Sequence, residues 1–160
     1  MDRLFRDRME YLDGPRDSEC FFCAVIAAGE DQDENNLVLA RGESAFIILN
    51  KFPYNTGHLL VAPYEHRGDI QDLEARIQNE IMALVTSCVH ALKTAMKPQA
   101  FNLGANMGEV AGAGVPGHFH FHVVPRWGGD TNFMPVVGGA KVLPETLIET
   151  FARVKPEFAS

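Results

Sequence analysis

No apolar run in the chain approaches the ~20 residues that a membrane-spanning helix requires, and the opening Met1-Asp2-Arg3-Leu4-Phe5-Arg6-Asp7 lacks the apolar stretch of a secretory signal. A cytoplasmic protein without a membrane partner is therefore expected. An excess of basic charge is missing as well. The formal net charge of −7 argues against nonspecific binding to nucleic-acid backbone, which needs a basic face. It leaves an anionic ligand open, because a local cluster of His, Lys and backbone N–H groups holds phosphate even on an acidic protein. Cysteine is scarce and odd in number, with three residues, so a pure disulfide framework is not expected. Internal repeats and low-complexity segments are absent. So are a Walker-type loop, a Ser-His-Asp arrangement and any sign of Mg²⁺ held by protein carboxylates.

What is present is one domain's worth of ordinary soluble sequence: 160 residues, 46% apolar and 22% charged, enough to bury a substantial core. Residues 3–12 suit a short amphipathic helix, ended by Asp13-Gly14-Pro15. Gly29 to Asn36 is polar and acidic and reads as a loop. Strands are expected over Leu37–Arg41 and Ala45–Leu49, with the turn signal Gly42-Glu43-Ser44 between them. A loop over Asn50–Gly57 leads into an apolar strand, His58–Ala62, stopped by Pro63. Asp69 is placed to cap a short helix. Ile77, Ile81, Leu84, Val85, Cys88 and Leu92 recur at helical spacing within Leu73–Met96, which predicts one long helix with a face packed on a sheet. Cys88 belongs to that core face, and His90 reads as a surface residue. Phe101–Asn106 is strand-like, Met107–Gly117 a glycine-rich loop, His118–Pro125 a last strand and Pro144–Val154 a final helix. Strands outnumber helices and short turns join them, so an α+β fold with an antiparallel sheet is predicted.

The chemistry concentrates in Gly117-His118-Phe119-His120-Phe121-His122-Val123-Val124-Pro125-Arg126-Trp127. Successive side chains of a strand face opposite ways. His118, His120 and His122 then share one face, while Phe119, Phe121 and Val123 pack on the core. Adjacent imidazoles make poor packing, since each nitrogen needs a partner. At ~3.3 Å per residue the outer two stand roughly 13 Å apart, which makes a single ion bound by all three awkward and a division of roles easier. Cys20 and Cys23 form a C-x-x-C pair, which by itself fits either redox or metal chemistry.

The His-x-His-x-His run resembles the signature of the histidine-triad (HIT) superfamily. Asn50-Lys51-Phe52-Pro53-Tyr54-Asn55-Thr56-Gly57-His58-Leu59-Leu60-Val61-Ala62-Pro63 is similar to its upstream block, and Phe101-Asn102 through Asn106-Met107-Gly108 to the segment before the triad. Arg8–Leu12 and Gly129–Met134 resemble the bacterial branch that includes diadenosine tetraphosphate phosphorylases, beside the Fhit-like dinucleoside polyphosphate hydrolases.

The resemblance implies a single HIT domain over 1–160, with an N-terminal segment 1–18, a core 19–127 and a C-terminal extension 128–160. It implies a five-stranded antiparallel sheet with one long and one or two short helices, and a homodimer. For activity it implies attack by His120 on an α-phosphorus, forming a nucleotidyl-histidine that water or inorganic phosphate resolves. A backbone carbonyl would hold Nδ1–H of His120, and His122 and His58 would meet phosphate oxygens or the leaving group. Asn50 would meet the ribose, with Asn106 and Gly114 also binding substrate. Cys20, Cys23, His66 and His118 would hold a structural Zn²⁺, and no organic cofactor is implied. Nucleoside phosphoramidate hydrolysis and non-catalytic nucleotide binding are the alternatives. Lys51, Arg126 and Trp127 are further candidates for ligand contact.

Overall fold

In the computed structural model, residues 20–131 and 141–159 are described. The expected helix over 3–12 and residues 132–134 of the Gly129–Met134 segment lie outside them. Helix α1 (Phe21–Ala28) is followed by a 3₁₀ turn and the short α2 (Asp33–Asn36). Then come β1 (Val38–Arg41), β2 (Ala45–Leu49), β3 (Leu59–Pro63), the long α3 (Ala75–Met96), β4 (Ala100–Gly104), β5 (Phe121–Arg126) and α4 (Leu147–Val154). The five strands form one antiparallel sheet, as predicted, and their order is β1-β2-β3-β5-β4.

Strand alternation sorts the core into two layers. Ala45, Ile47, Leu49, Leu59, Val61 and Val123 meet Ile77, Ile81, Val85, Cys88 and Leu92 of α3. Their neighbours Phe46, Ile48, Leu60 and Ala62 face the other way and meet Phe22 and Val25 of α1. One face of the sheet is thus closed by the long helix, and the other is covered at one end by the helix that carries the cysteines. Phe119 and Phe121 join the α3 layer as expected. Glu80 on α3 accepts from the backbone N–H of Glu43 and Ser44, which ties the long helix to the β1–β2 turn. Burial pushes the Cys88 thiol pKa up, which suits a core residue.

Several boundaries differ from the sequence reading. The acidic stretch 29–36 folds into a 3₁₀ turn and α2, held by the Arg41–Asp33 ion pair at 2.7 Å. Pro63 belongs to β3 and pairs with Ala45; at a strand's end it need not donate to the ladder. Asp69 makes no side-chain cap to the 3₁₀ turn at Ile70–Asp72. The last strand starts at Phe121 and not His118, because the backbone of 118–119 bonds elsewhere: His118 N–H to Val115 O and Phe119 N–H to Arg67 O. The final helix begins at Leu147 behind a Thr146–Glu149 capping box. Helix α1 has no counterpart among the sequence-based elements.

Two anchors fix the loop that precedes β3. Gly57 has φ +79°, and a Cβ there would stand 2.8 Å from the Met96 sulfur and 3.2 Å from Pro125, so only glycine fits. Buried Asn55 donates both amide hydrogens, to Pro125 O and Asp130 Oδ2. Asp130 also receives Arg126 and the Trp127 N–H. The Arg126 hydrogen bonds hold the Asp130 carboxyl well below the usual carboxylate range. A depressed carboxylate stabilises the fold above its unfolded pKa of about 4, and that contribution fades as pH falls below it. Asp130→Asn should lower the melting temperature at neutral pH, with the gap to wild type narrowing below about pH 4; a gap independent of pH in thermal melts would contradict this account.

Candidate active site and metal cluster

The histidines lie on the face that α1 partly covers. His122 sits on β5 opposite Leu60 of β3 and Gly104 of β4. His120 comes just before the strand, with its ring 5.0 Å from that of His122 and 5.0 Å from that of Phe22. Phe22 also lies 5.0 Å from His118. The expected row of imidazoles on one face is therefore present, with Phe22 packed against two of its members.

His120 is 6% exposed. Its Nδ1 donates to the carbonyl oxygen of His118 at 2.8 Å. A carbonyl only accepts, so the proton is on Nδ1 and Nε2 carries a lone pair. Burial lowers the His120 pKa below the ordinary histidine value, while the His118 carbonyl pulls the other way. The result is a neutral imidazole with one nitrogen committed and a lone pair on the other.

His58 is fully buried at the head of β3. Its Nε2 lies 2.9 Å from Nδ1 of His122. On its other side, Nδ1 accepts the backbone N–H of Tyr54 at 3.0 Å and lies 3.2 Å from Nδ2 of Asn50. The Tyr54 ring stacks on His122 at 5.7 Å and tilts over His58 at 4.7 Å. Asn50, His58, His120 and His122 thus form one connected group. Asn106 lies in the loop that leaves the sheet just after Gly104, beside His122. Gly114 is exposed in open space. Lys51 places its ammonium 5.4 Å from the Phe21 ring centre. Arg126 is occupied by Asp130 and Asn102, and His90 is exposed on α3.

Cys20, Cys23, His66 and His118 gather their ligand atoms within 4.8 Å of one another. Cys20 Sγ and Cys23 Sγ stand 3.4 and 3.7 Å from His118 Nδ1, and Cys23 Sγ stands 3.3 Å from His66 Nδ1. Tetrahedral bonds of about 2.3 Å to sulfur and 2.0 Å to nitrogen put such donors about 3.3–3.8 Å apart, so the spacing fits a closed metal shell. His118 Nε2 donates to Pro63 O at 2.8 Å, which turns the Nδ1 lone pair into the cluster. Burial lowers the His118 pKa below the ordinary histidine value.

Sequence reasoning missed Phe22, the Tyr54 backbone and the Pro63 carbonyl. Only Phe22 carried a signal, being enclosed by the C-x-x-C pair. The three imidazoles do not converge on one ion: the Nδ1 atoms of His118, His120 and His122 turn to the cysteines, to a backbone carbonyl and to His58.

Comparison with known proteins agrees with this geometry. The HIT domain family matches residues 31–129, a span that includes all five strands and His58, His66 and the His118–His122 run but not the cysteine pair. A Mycobacterium tuberculosis protein named AP-4-A phosphorylase is 42% identical over 127 residues, covering 79% of this chain. This chain spans only 65% of that relative's length. Protein hit of Bacillus subtilis is 27% identical over 114 residues, covering 71% of this chain and 75% of its own. Among solved structures, a Zn-bound histidine triad family protein from Mycobacterium smegmatis superposes with a TM-score of 0.71 at 25% identity, over 88% of this chain and 94% of that one. On its family match and its sheet, the chain belongs to the HIT-domain family.

Proposed function

We propose that this protein cleaves dinucleoside polyphosphates at the α-phosphate, with His120 as the nucleophile. The observation that carries the proposal is the His120 Nδ1–H bond to the His118 carbonyl, which leaves Nε2 unprotonated. The likeness to a protein named AP-4-A phosphorylase supports the substrate class. Nε2 attacks phosphorus, the P–N bond forms, and the bond to the bridging oxygen breaks with its electron pair going to the leaving polyphosphate. The imidazolium of the adduct keeps its Nδ1–H on the His118 carbonyl. Inorganic phosphate or water then displaces His120 and releases the nucleotide.

His122 supplies a hydrogen bond where charge develops, and His58 holds the His122 ring from behind through Nε2. Asn106 and Gly114 complete the substrate-binding side, and Asn50 acts through His58. The Cys₂His₂ set suits Zn²⁺, held by Cys20, Cys23, His66 and His118. When bound, that ion supplies a closed structural clamp and has no open position for chemistry. A homodimer in the cytoplasm completes the reading.

Two measurements test it. With diadenosine tetraphosphate, ADP plus ATP appearing only with phosphate identifies a phosphorylase, and AMP plus ATP without phosphate a hydrolase. His120→Ala should cost roughly 10³-fold or more in turnover, and undiminished turnover in that variant refutes the mechanism. Metal analysis of the purified protein should find about one zinc per chain. Cys23→Ser should lower both the zinc content and the melting temperature. Equal zinc in variant and wild type would remove Cys23 from the ligand set.

A further inference from the structure

The family resemblance assigns Asn50 to the ribose, but its side-chain amide is already engaged. Phe52 N–H donates to Asn50 Oδ1 at 2.9 Å. That bond fixes the amide's orientation, since the flipped form would set two donors face to face. Nδ2 is therefore the atom that stands 3.2 Å from His58 Nδ1. The Tyr54 backbone N–H reaches the same nitrogen at 3.0 Å. Two donors converge on His58 Nδ1, which must be bare. The imidazole proton is then on Nε2, pointing to His122 Nδ1 at 2.9 Å, and the proton of His122 is on its own Nε2.

From this chain of hydrogen bonds we infer that Asn50 is a positioning residue that sets leaving-group specificity, by holding His58 and His122 as neutral imidazoles in one fixed tautomer. The inference rests on the proposed attack by His120. In this state His122 offers a hydrogen bond from Nε2–H but cannot give up that proton. Doing so would leave an imidazolate, and His58 has no Nδ1 proton with which to replace it. The leaving group must therefore depart as a stable anion. A polyphosphate does so readily, its last ionisation lying near about 6. An amine does not: when a P–N bond breaks, the electron pair goes to nitrogen, which needs a proton to leave as an amine of pKa about 10. The site thus suits dinucleoside polyphosphates over nucleoside phosphoramidates.

Asn50→Asp reverses the lock. A carboxylate in place of the amide draws a proton onto His58 Nδ1, with the Tyr54 N–H turning from that nitrogen to the carboxylate, and the His58–His122 pair then holds a proton that it can pass to a leaving nitrogen.

The test compares kcat/KM for diadenosine tetraphosphate and for an adenosine phosphoramidate, in wild type and Asn50→Asp. Side-chain ¹⁵N spectra of the intact protein are recorded in parallel. The expected result is a bare His58 Nδ1 in wild type, a protonated one in Asn50→Asp, and a specificity ratio shifted toward the phosphoramidate by about tenfold or more. An Asn50 that served only the ribose would affect both substrates alike, because both carry it. An unmoved ratio would therefore overturn the assignment, as would a protonated His58 Nδ1 in the wild type. Should the wild type turn over neither substrate, the proposed function fails on its own, and the wild-type spectrum still decides whether the lock exists.

Discussion

A buried imidazole must place two nitrogens, one with a proton and one with a lone pair, and this requirement organises the histidine surface. Partners are drawn from main chain at strand ends and in loops. Pro63 closes β3 and offers its carbonyl to His118. His118 stands outside β5 and offers its carbonyl to His120. Tyr54, in the loop before β3, offers its N–H to His58. The irregular backbone around the strands is thus the source of the order among the rings.

The fold was legible where periodicity is strong. Alternating Phe and His over 118–123 gave both faces of the last strand, and the Ile77–Leu92 spacing gave the long helix and its buried side. It was illegible where local pattern carries no phase. Phe21–Ala28 is almost wholly apolar, so no stripe marks it as helical. Its helix follows from packing Phe22 and Val25 against the sheet. The four residues of α2 are too few for a period, and their ion pair to Arg41 is invisible before the strand is placed.

The candidate site divides in the same way. Side-chain roles could be read from residue type and family likeness. Those that depend on main-chain partners could not, because no sequence pattern tells which carbonyl will be left free. Asn50 is the sharpest example. Its type suits a sugar hydroxyl, yet the turn at Phe52 captures its oxygen and aims its nitrogen at His58. Gly57 and Asn55 act one step earlier, by fixing the path of that loop against Pro125 and Asp130.

His118 joins the two halves of the surface. Its ring belongs to the Cys20–Cys23–His66 cluster and its carbonyl to His120. A ring pinned at both nitrogens, by Pro63 and by the cysteines, cannot rotate about its side-chain bonds, so the backbone between His118 and His120 is held from the cluster side. The opposite end of the row is held by His58 through His122. The Nε2 of His120 therefore stands between two anchors of different kinds, the Cys20–Cys23–His66 cluster on one side and the His58–His122 hydrogen bond on the other. Three histidines two residues apart can share a face and still differ in role, because each is fixed by a partner that the other two cannot reach.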